Sequence, residues 1–318
     1  MGVTSLTTIM GDRREPYVLL AIVSAVWGLS SFLVHTTVAT IPPASAAAGR
    51  LVVGAIALAA LARMVKTANE PQSLWHWGYA KVAFFGQALP FFLISWAQVR
   101  VTPSTASVLI ATTPVFASVF ALRQRGVHAA GRTWVGVVLG LAGLTGFIGS
   151  SAWSTGSQTW LRDLALAAAA LSFAFSGRLV GRLPSDSALT RGANVARHSA
   201  AMMVAASLVF DHPWAMSAPS AESLCAMVFL ALLSTCVAYV AYYRLIAIGG
   251  LPMATSHHYI APVIALAIQF WWTGTIPTPL QFISVGAILA AVALIAQRPA
   301  TTAATAPTGE TSLLSEPK

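Results

Sequence analysis

Two adjacent histidines, His257 and His258, stand just before Pro262 in the apolar run LPMATSHHYIAPVIALAIQFWW, residues 251–272. An imidazole donates, accepts or relays a proton near neutral pH. A proline inside a helix withdraws one backbone donor and exposes carbonyls to neighbours or cavity water. In an apolar setting, that combination suits solute binding or proton relay. On a continuous helix the two histidines start about 100° apart, so both can face protein but hardly the same point. The competing reading is a pair of core histidines satisfied by neighbours. Metal binding is not expected, because adjacent histidines without a nearby thiolate or carboxylate lack tetrahedral spacing. No Asp or Glu falls within the core of any apolar run. That leaves His35, His198, His257 and His258 as the candidate proton carriers.

Other polar and aromatic side chains interrupt the apolar runs: Trp27, Ser30 and Ser31; Gln87, Ser95, Trp96 and Gln98; Tyr239, Tyr242 and Tyr243. Mid-run aromatics are more often packing than ligand contacts. From these and the histidines, the candidate solute-binding set is Trp27, Ser31, Gln87, Trp96, Tyr239, Tyr243, His257 and His258. Arg50 and Arg197 lie early in two apolar runs, where a buried charge costs ~2.5–3.5 kcal/mol on insertion scales. Both read as structural charges that snorkel or bond neighbouring carbonyls, with an anionic solute group as the alternative. The segment AFSG (174–177) is near a nucleophile motif but has Ala174 where glycine belongs, with His198 as nearest base. An intramembrane hydrolase is therefore an alternative, and a non-transporting structural membrane protein another. No Gly-x-x-x-x-Gly-Lys-Ser/Thr loop occurs, so nucleotide-driven pumping by this chain is not expected. Neither an enzyme nor a cofactor is expected.

The elements that must position these groups are membrane helices. The chain is 57% hydrophobic and 8% charged, with mean hydropathy +0.74, against roughly a quarter charged for a soluble domain. Apolar runs of about 20 residues recur throughout, the length that spans ~30 Å of hydrocarbon. Ten spans are predicted, near 17–36, 44–64, 77–98, 103–122, 131–150, 161–180, 193–211, 222–246, 252–272 and 279–297. The net charge of +9 lies in short clusters between spans, which reads as orientation rather than as nucleic-acid binding. Arg13, Arg14, Arg63, Lys66, Arg123, Arg125, Arg132, Arg178, Arg182, Arg191, Arg244 and Arg298 fall on one side. Only Arg100 and Arg162 fall on the other. Both termini are thus expected in the cytoplasm, with the chain multi-pass in the plasma membrane. Cys225 and Cys236 share one run and form no disulfide framework. Gly136, Gly140, Gly143 and Gly146 form a small-residue stripe for close helix packing, within the chain or across a homodimer; monomer and homodimer are equally open.

Shifted by about 148 residues, STASVLIATTPVFASVFALRQRG (104–126) aligns with PMATSHHYIAPVIALAIQFWWTG (252–274). Pro114 then meets Pro262, and, one residue off that register, Arg50 meets Arg197. Pro114 and Pro262 are read as kinks or hinges. Five spans per copy make the second copy enter the membrane inverted, an architecture used for alternating access around a midplane site. The opening AVWGLSSFLVHTTVATIPPASAAAGRLVVGAIAL resembles the EamA family of the drug/metabolite transporter superfamily. The resemblance rests on Trp27, Gly28, Ser30, Ser31, Phe32, Pro42, Pro43 and Arg50, and on the proline-centred helices ending near Gly126 and Gly274. Gly126-Val127 and Gly274-Thr275 depart from the family's Gly-Glu, so no role of that glutamate carries over. The resemblance implies an exporter of amino acids or small metabolites, with a cavity lined by spans 1, 3, 4, 6, 8 and 9. The expected architecture is an all-α integral membrane protein of ten transmembrane helices in two inverted five-helix repeats. A cytoplasmic segment (1–16) precedes repeats at 17–150 and 151–298, and a disordered cytoplasmic tail (299–318) follows. Its expected partners are a small-molecule substrate and the lipid bilayer, without nucleic acid.

Overall fold

The computed structural model describes residues 14–64, 77–122, 131–155, 159–183, 187–274 and 278–296. The N-terminal segment before residue 14 and the tail expectation fall outside them. Among the described residues every regular element is helical. In chain order these are α1 (Glu15–Val38), α2 (Pro43–Met64), α3 (Trp77–Ala83), the π-helical segment π1 (Phe84–Ala88) and α4 (Leu89–Gln98). Next come α5 (Pro103–Ile110), α6 (Thr113–Leu122), α7 (Gly131–Thr155), α8 (Thr159–Val180) and α9 (Ala188–Phe210). The last are α10 (Ala221–Phe229), the π-helical segment π2 (Leu230–Val237), α11 (Ala238–Thr255), α12 (His257–Thr273) and α13 (Pro279–Ala296).

Seven helical stretches are long and apolar enough to cross a membrane: Glu15–Val38, Pro43–Met64, Trp77–Gln98, Pro103–Leu122, Gly131–Gly149, Thr159–Val180 and Ala221–Gly249. The exposed shell is apolar too, with Trp134, Val138, Phe210, Phe229 and Phe282 all outward. That is the surface lipid requires, because tails solvate it as well as protein does. The helix starts carry local signals. Thr102 precedes Pro103 and its Oγ1 accepts from Thr105 N–H, and Ser220 caps α10 through Ser223 N–H in the same way. Asp211 accepts from Ser45 N–H at 2.6 Å, placing a carboxylate at the positive end of α2. Gly274 takes φ +66° and ends α12, a conformation glycine adopts without steric cost.

Two interfaces dominate the packing, α7 on α13 and α2 on α9, followed by α1 on α12 and α4 on α8. The glycine stripe explains the first. A Cβ at Gly136 would lie 3.0 Å from the Ala291 carbonyl, and one at Gly143 2.9 Å from that of Ser284. The two helices therefore meet backbone to backbone where larger residues would hold them apart.

The proline helices differ from expectation. Pro262 does not break its helix: it lies inside α12, and the turn falls earlier, at Ser256. The helix before it, α11, continues through Pro252 to Thr255. A membrane helix tolerates an internal proline because neighbours re-satisfy the freed backbone. Around Pro114 the chain does break, at Ala111–Thr112, and Pro114 takes the second position of α6, where a missing N–H costs little.

Candidate functional site

The helices enclose a cavity of about 280 Å³, lined from both halves of the chain. That lies close to the lower end of the ~300–1,000 Å³ common for small-molecule sites. Of the sequence candidates, Trp27, Ser31, Gln87, Tyr239, Tyr243, His257, His258 and Pro262 line it, and so does Arg50. Trp96, Pro114 and Arg197 do not.

Trp27 is at the centre of the aromatic wall. Its ring contacts Tyr239 edge-on at 5.7 Å, Tyr242 at 5.2 Å and His257 at 4.4 Å between centroids. Its Nε1–H donates to the Ser234 carbonyl at 3.3 Å. Ser234 belongs to π2, where the wider turn displaces carbonyls from the i→i−4 ladder. The next residue, Gly28, allows this approach: a Cβ there would lie 3.0 Å from the Ala261 carbonyl of α12. Tyr239 and Tyr243 continue the wall, 6.0 Å apart.

Gln87 sits on π1 and is buried. Its Oε1 accepts from Ser199 Oγ at 2.8 Å. A hydroxyl from another helix also holds the backbone of this region: Ser172 of α8 donates to Phe85 O at 2.7 Å. π1 thus gives Gly86 and Gln87 to the lining, while π2 meets the site only through the Trp27 and Arg50 side chains that bond Ser234 O and Thr235 Oγ1. Displaced by the repeat offset of about 148 residues, π1 falls within π2.

The histidines come together, contrary to the expectation from a continuous helix. Their ring centroids lie 4.0 Å apart and both line the cavity. Both are consecutive residues at the start of α12, so it is the direction of the two side chains, not the backbone spacing, that brings the rings together. His257 Nδ1–H donates to Ala254 O at 2.7 Å, which leaves Nε2 as the acceptor of the neutral ring. The other two histidines are elsewhere: His35 Nδ1 bonds Gln98 O and His198 Nδ1 bonds Asn194 O, each at 2.8 Å.

Arg50 is buried, against the snorkelling expectation. Its Nε donates to Thr235 Oγ1 at 3.0 Å, and its guanidinium lies 3.8 Å above the Phe91 ring centre. Cation–π contact at such a site contributes about 1–2 kcal/mol. Arg197 instead is exposed and bonds Asn194 Oδ1 on its own helix at 2.8 Å. Trp96 lies outside the cavity lining, where Arg162 covers its ring at 4.4 Å and donates to its carbonyl. Ser176 of AFSG lines the cavity, but its Oγ bonds the Val82 carbonyl rather than a histidine, and it sits mid-helix in α8.

Sequence reasoning missed Phe91 and Thr235. Neither carries a signal alone, since their importance comes from the guanidinium between them. Tyr242 was visible as part of the Tyr239–Tyr243 cluster, yet only the structure shows it against Trp27.

An apolar bundle with a cavity walled by both halves is a carrier-like geometry, and comparison with known proteins decides the family. The model of the EamA-like transporter family matches residues 15–149 and again 160–297. The chain belongs to the EamA-like transporter family. It is 26% identical over 271 residues to the inner membrane transporter YedA of Escherichia coli (strain K12), covering 85% of this chain and 87% of that one. A probable terminal-alkyne amino-acid exporter of Streptantibioticus cattleyicolor is 26% identical over 208 residues, covering 65% of this chain and 68% of the relative. A solved structure titled "Crystal structure of protein" shares the fold with TM-score 0.64 at 18% identity, covering 89% of this chain and 96% of that chain. This EamA-like chain is thus a multi-pass membrane transporter by family, in agreement with its apolar spans.

Proposed function

We propose that this EamA-like protein is a secondary transporter that exports amino acids or similar small organic metabolites. It works by alternating access through the central cavity, between two inverted five-helix repeats with both termini cytoplasmic. The observation that carries the reading is the composition of the cavity wall: Trp27 and Gln87 come from the first half, Tyr239 and His257 from the second. A site shared by two halves is opened to either side when one half rocks against the other.

The packing pattern supports the inverted arrangement. In such a pair the second helices, α2 and α9, and the fifth, α7 and α13, would meet across the symmetry axis, and these are the two dominant interfaces. Contact of α1 with α12 would be matched by α8 with α5 and α6, which also occurs. The two π segments fall at corresponding places. The excess of Arg and Lys on one side supports the orientation. The amino-acid assignment draws on the name of the Streptantibioticus relative and on a wall mixing aromatic faces with a few hydrogen-bonding groups.

Proteoliposomes loaded with a mixed pool of amino acids and small metabolites test this, read by mass spectrometry against protein-free vesicles. Selective loss of one compound class, saturable in its concentration, is the expected result. Retention of every compound by vesicles holding monodisperse, cooperatively melting protein would overturn it. A pH gradient imposed in the same assay reports whether efflux draws on protons.

A further inference from the structure

We infer that Arg50 is the anchor for a substrate carboxylate, so that the cavity takes solutes bearing one carboxylate on an apolar or aromatic body. The inference rests on the carrier reading above and adds a substrate class to it. Arg50 is the only Lys or Arg among the described lining residues, and none of them is Asp or Glu. The cavity therefore has a fixed positive charge and no fixed negative one. Among the described residues, no carboxylate forms an ion pair with Arg50; Glu15, for instance, is paired with Arg244 at the start of α1.

A guanidinium remains charged in any protein setting, and inside low dielectric it gains from an anion that arrives with its own charge. The geometry orients it for that purpose. Thr235 takes Nε and Phe91 covers one face, so the two terminal nitrogens form the remaining edge. That edge is the fork that grips a carboxylate through two parallel hydrogen bonds. Arg50 is also the eighth residue of α2, about 10 Å along the axis from its start, with its head held between helices instead of reaching the bundle end.

The corresponding arginine sharpens the case. Arg197 is exposed and bonds its own helix, so the position in the repeat does not by itself demand a buried guanidinium. What differs is the cavity beside it. Trp27, Phe91, Phe173 and Tyr239 wall that cavity and give the rest of the solute aromatic surface to lie against. A second carboxylate would find no further fixed cation there, which favours monoanions.

The test measures binding to the full-length protein in detergent by isothermal titration, using 3-phenylpropionate and its uncharged, same-shaped amide. The carboxylate is expected to bind roughly tenfold or more tightly than the amide. Arg50→Gln should weaken the carboxylate far more than the amide and so erase that preference, and Arg50→Lys should restore part of it. Equal binding of acid and amide to the unaltered protein, or binding of neither, overturns the inference without any variant having to fold. Equal weakening of both ligands by Arg50→Gln would assign the residue a structural role and overturn it too. Acid preference in a protein that moves nothing across proteoliposomes would sink the carrier reading and leave the anchor standing. Efflux without acid preference would do the reverse.

Discussion

The helices around Pro114 and Pro262 occupy matching places in the two halves, and they solve the same problem differently. Each proline withholds the N–H that would bond the carbonyl four residues earlier. Near Pro114 the deficit is closed locally: Thr113 Oγ1 donates to Ile110 O and Thr112 Oγ1 to Leu109 O, each at 2.6 Å. At the corresponding places near Pro262 stand Ile260 and Ala261, which have no hydroxyl. There the residues matching Leu109 and Ile110 are His257 and His258, and both line the cavity. The first half has a self-satisfied joint, and the second has polar side chains at the cavity wall. Arg50 and Arg197 repeat the lesson with the halves exchanged. At matching sequence positions of the two halves, the polar group at the cavity is kept in one half only.

The largest effect that would break this comparison belongs to the arginines. Removing one partner of a buried charge interaction costs about 2–5 kcal/mol. Arg50→Gln should therefore lower efflux of the preferred solute by at least tenfold, whereas Arg197→Gln, on an exposed residue, should stay within about twofold. Initial efflux rates from proteoliposomes matched for protein content decide it. Equal losses would mean that both arginines serve one structural role.

How much of this the sequence disclosed depends on what kind of signal each residue carries. Composition and run length identify a membrane protein. A histidine, glutamine or tryptophan inside an apolar run is conspicuous because polar groups are costly there, so Trp27, Gln87, Tyr239 and His258 were legible. The π segments were not. Their backbone carbonyls and hydroxyls are met by side chains from other helices, Ser172 at Phe85 O in π1 and Trp27 and Arg50 at Ser234 O and Thr235 Oγ1 in π2, a tertiary pattern with no local signal. Trp96 carried the same signal as Trp27, yet it lies outside the cavity lining, beneath Arg162. The turn lies at Ser256 rather than at Pro262 for a related reason: proline marks a missing donor, and neighbouring helices decide whether the chain bends there.

The fifth helices of the two halves offer the next contrast. Gly143 of α7 lies so close to α13 that an added methyl would meet the Ser284 carbonyl at 2.9 Å, while Gly286 of α13 has nothing within 4 Å. Overpacking against backbone costs about 1–3 kcal/mol. Gly143→Ala should lower the thermal midpoint in detergent, and Gly286→Ala should leave it unchanged or raise it slightly. A harmless Gly143→Ala would show that this interface slides apart at little cost.

His258 tests the cavity side of the proline comparison. His258→Ala is expected to slow efflux about fivefold, a loss of roughly 1 kcal/mol in solute stabilisation, with an unchanged melting curve. Its counterpart Ile110→Ala should show the weaker effect on efflux. Unaltered rates in folded His258→Ala protein would return both histidines to a packing role.

The smallest effect concerns the self-satisfied joint itself. Thr113→Val keeps the side chain's shape but removes the hydroxyl that serves Ile110 O. Hydrogen bonds within membrane bundles average about 0.6 kcal/mol, and those of soluble proteins about 1 kcal/mol. Thr113→Val should therefore reduce stability by about 0.5–1 kcal/mol, read as a small fall in melting temperature, with efflux nearly unchanged. The reciprocal change, Ala261→Thr, places a hydroxyl where α12 has none and offers it to the His258 carbonyl. If the second half is open at this joint because the site needs it open, Ala261→Thr should leave the melting temperature level or raised while slowing efflux. If instead both variants move stability and leave transport untouched, the difference between the two proline helices is one of packing alone.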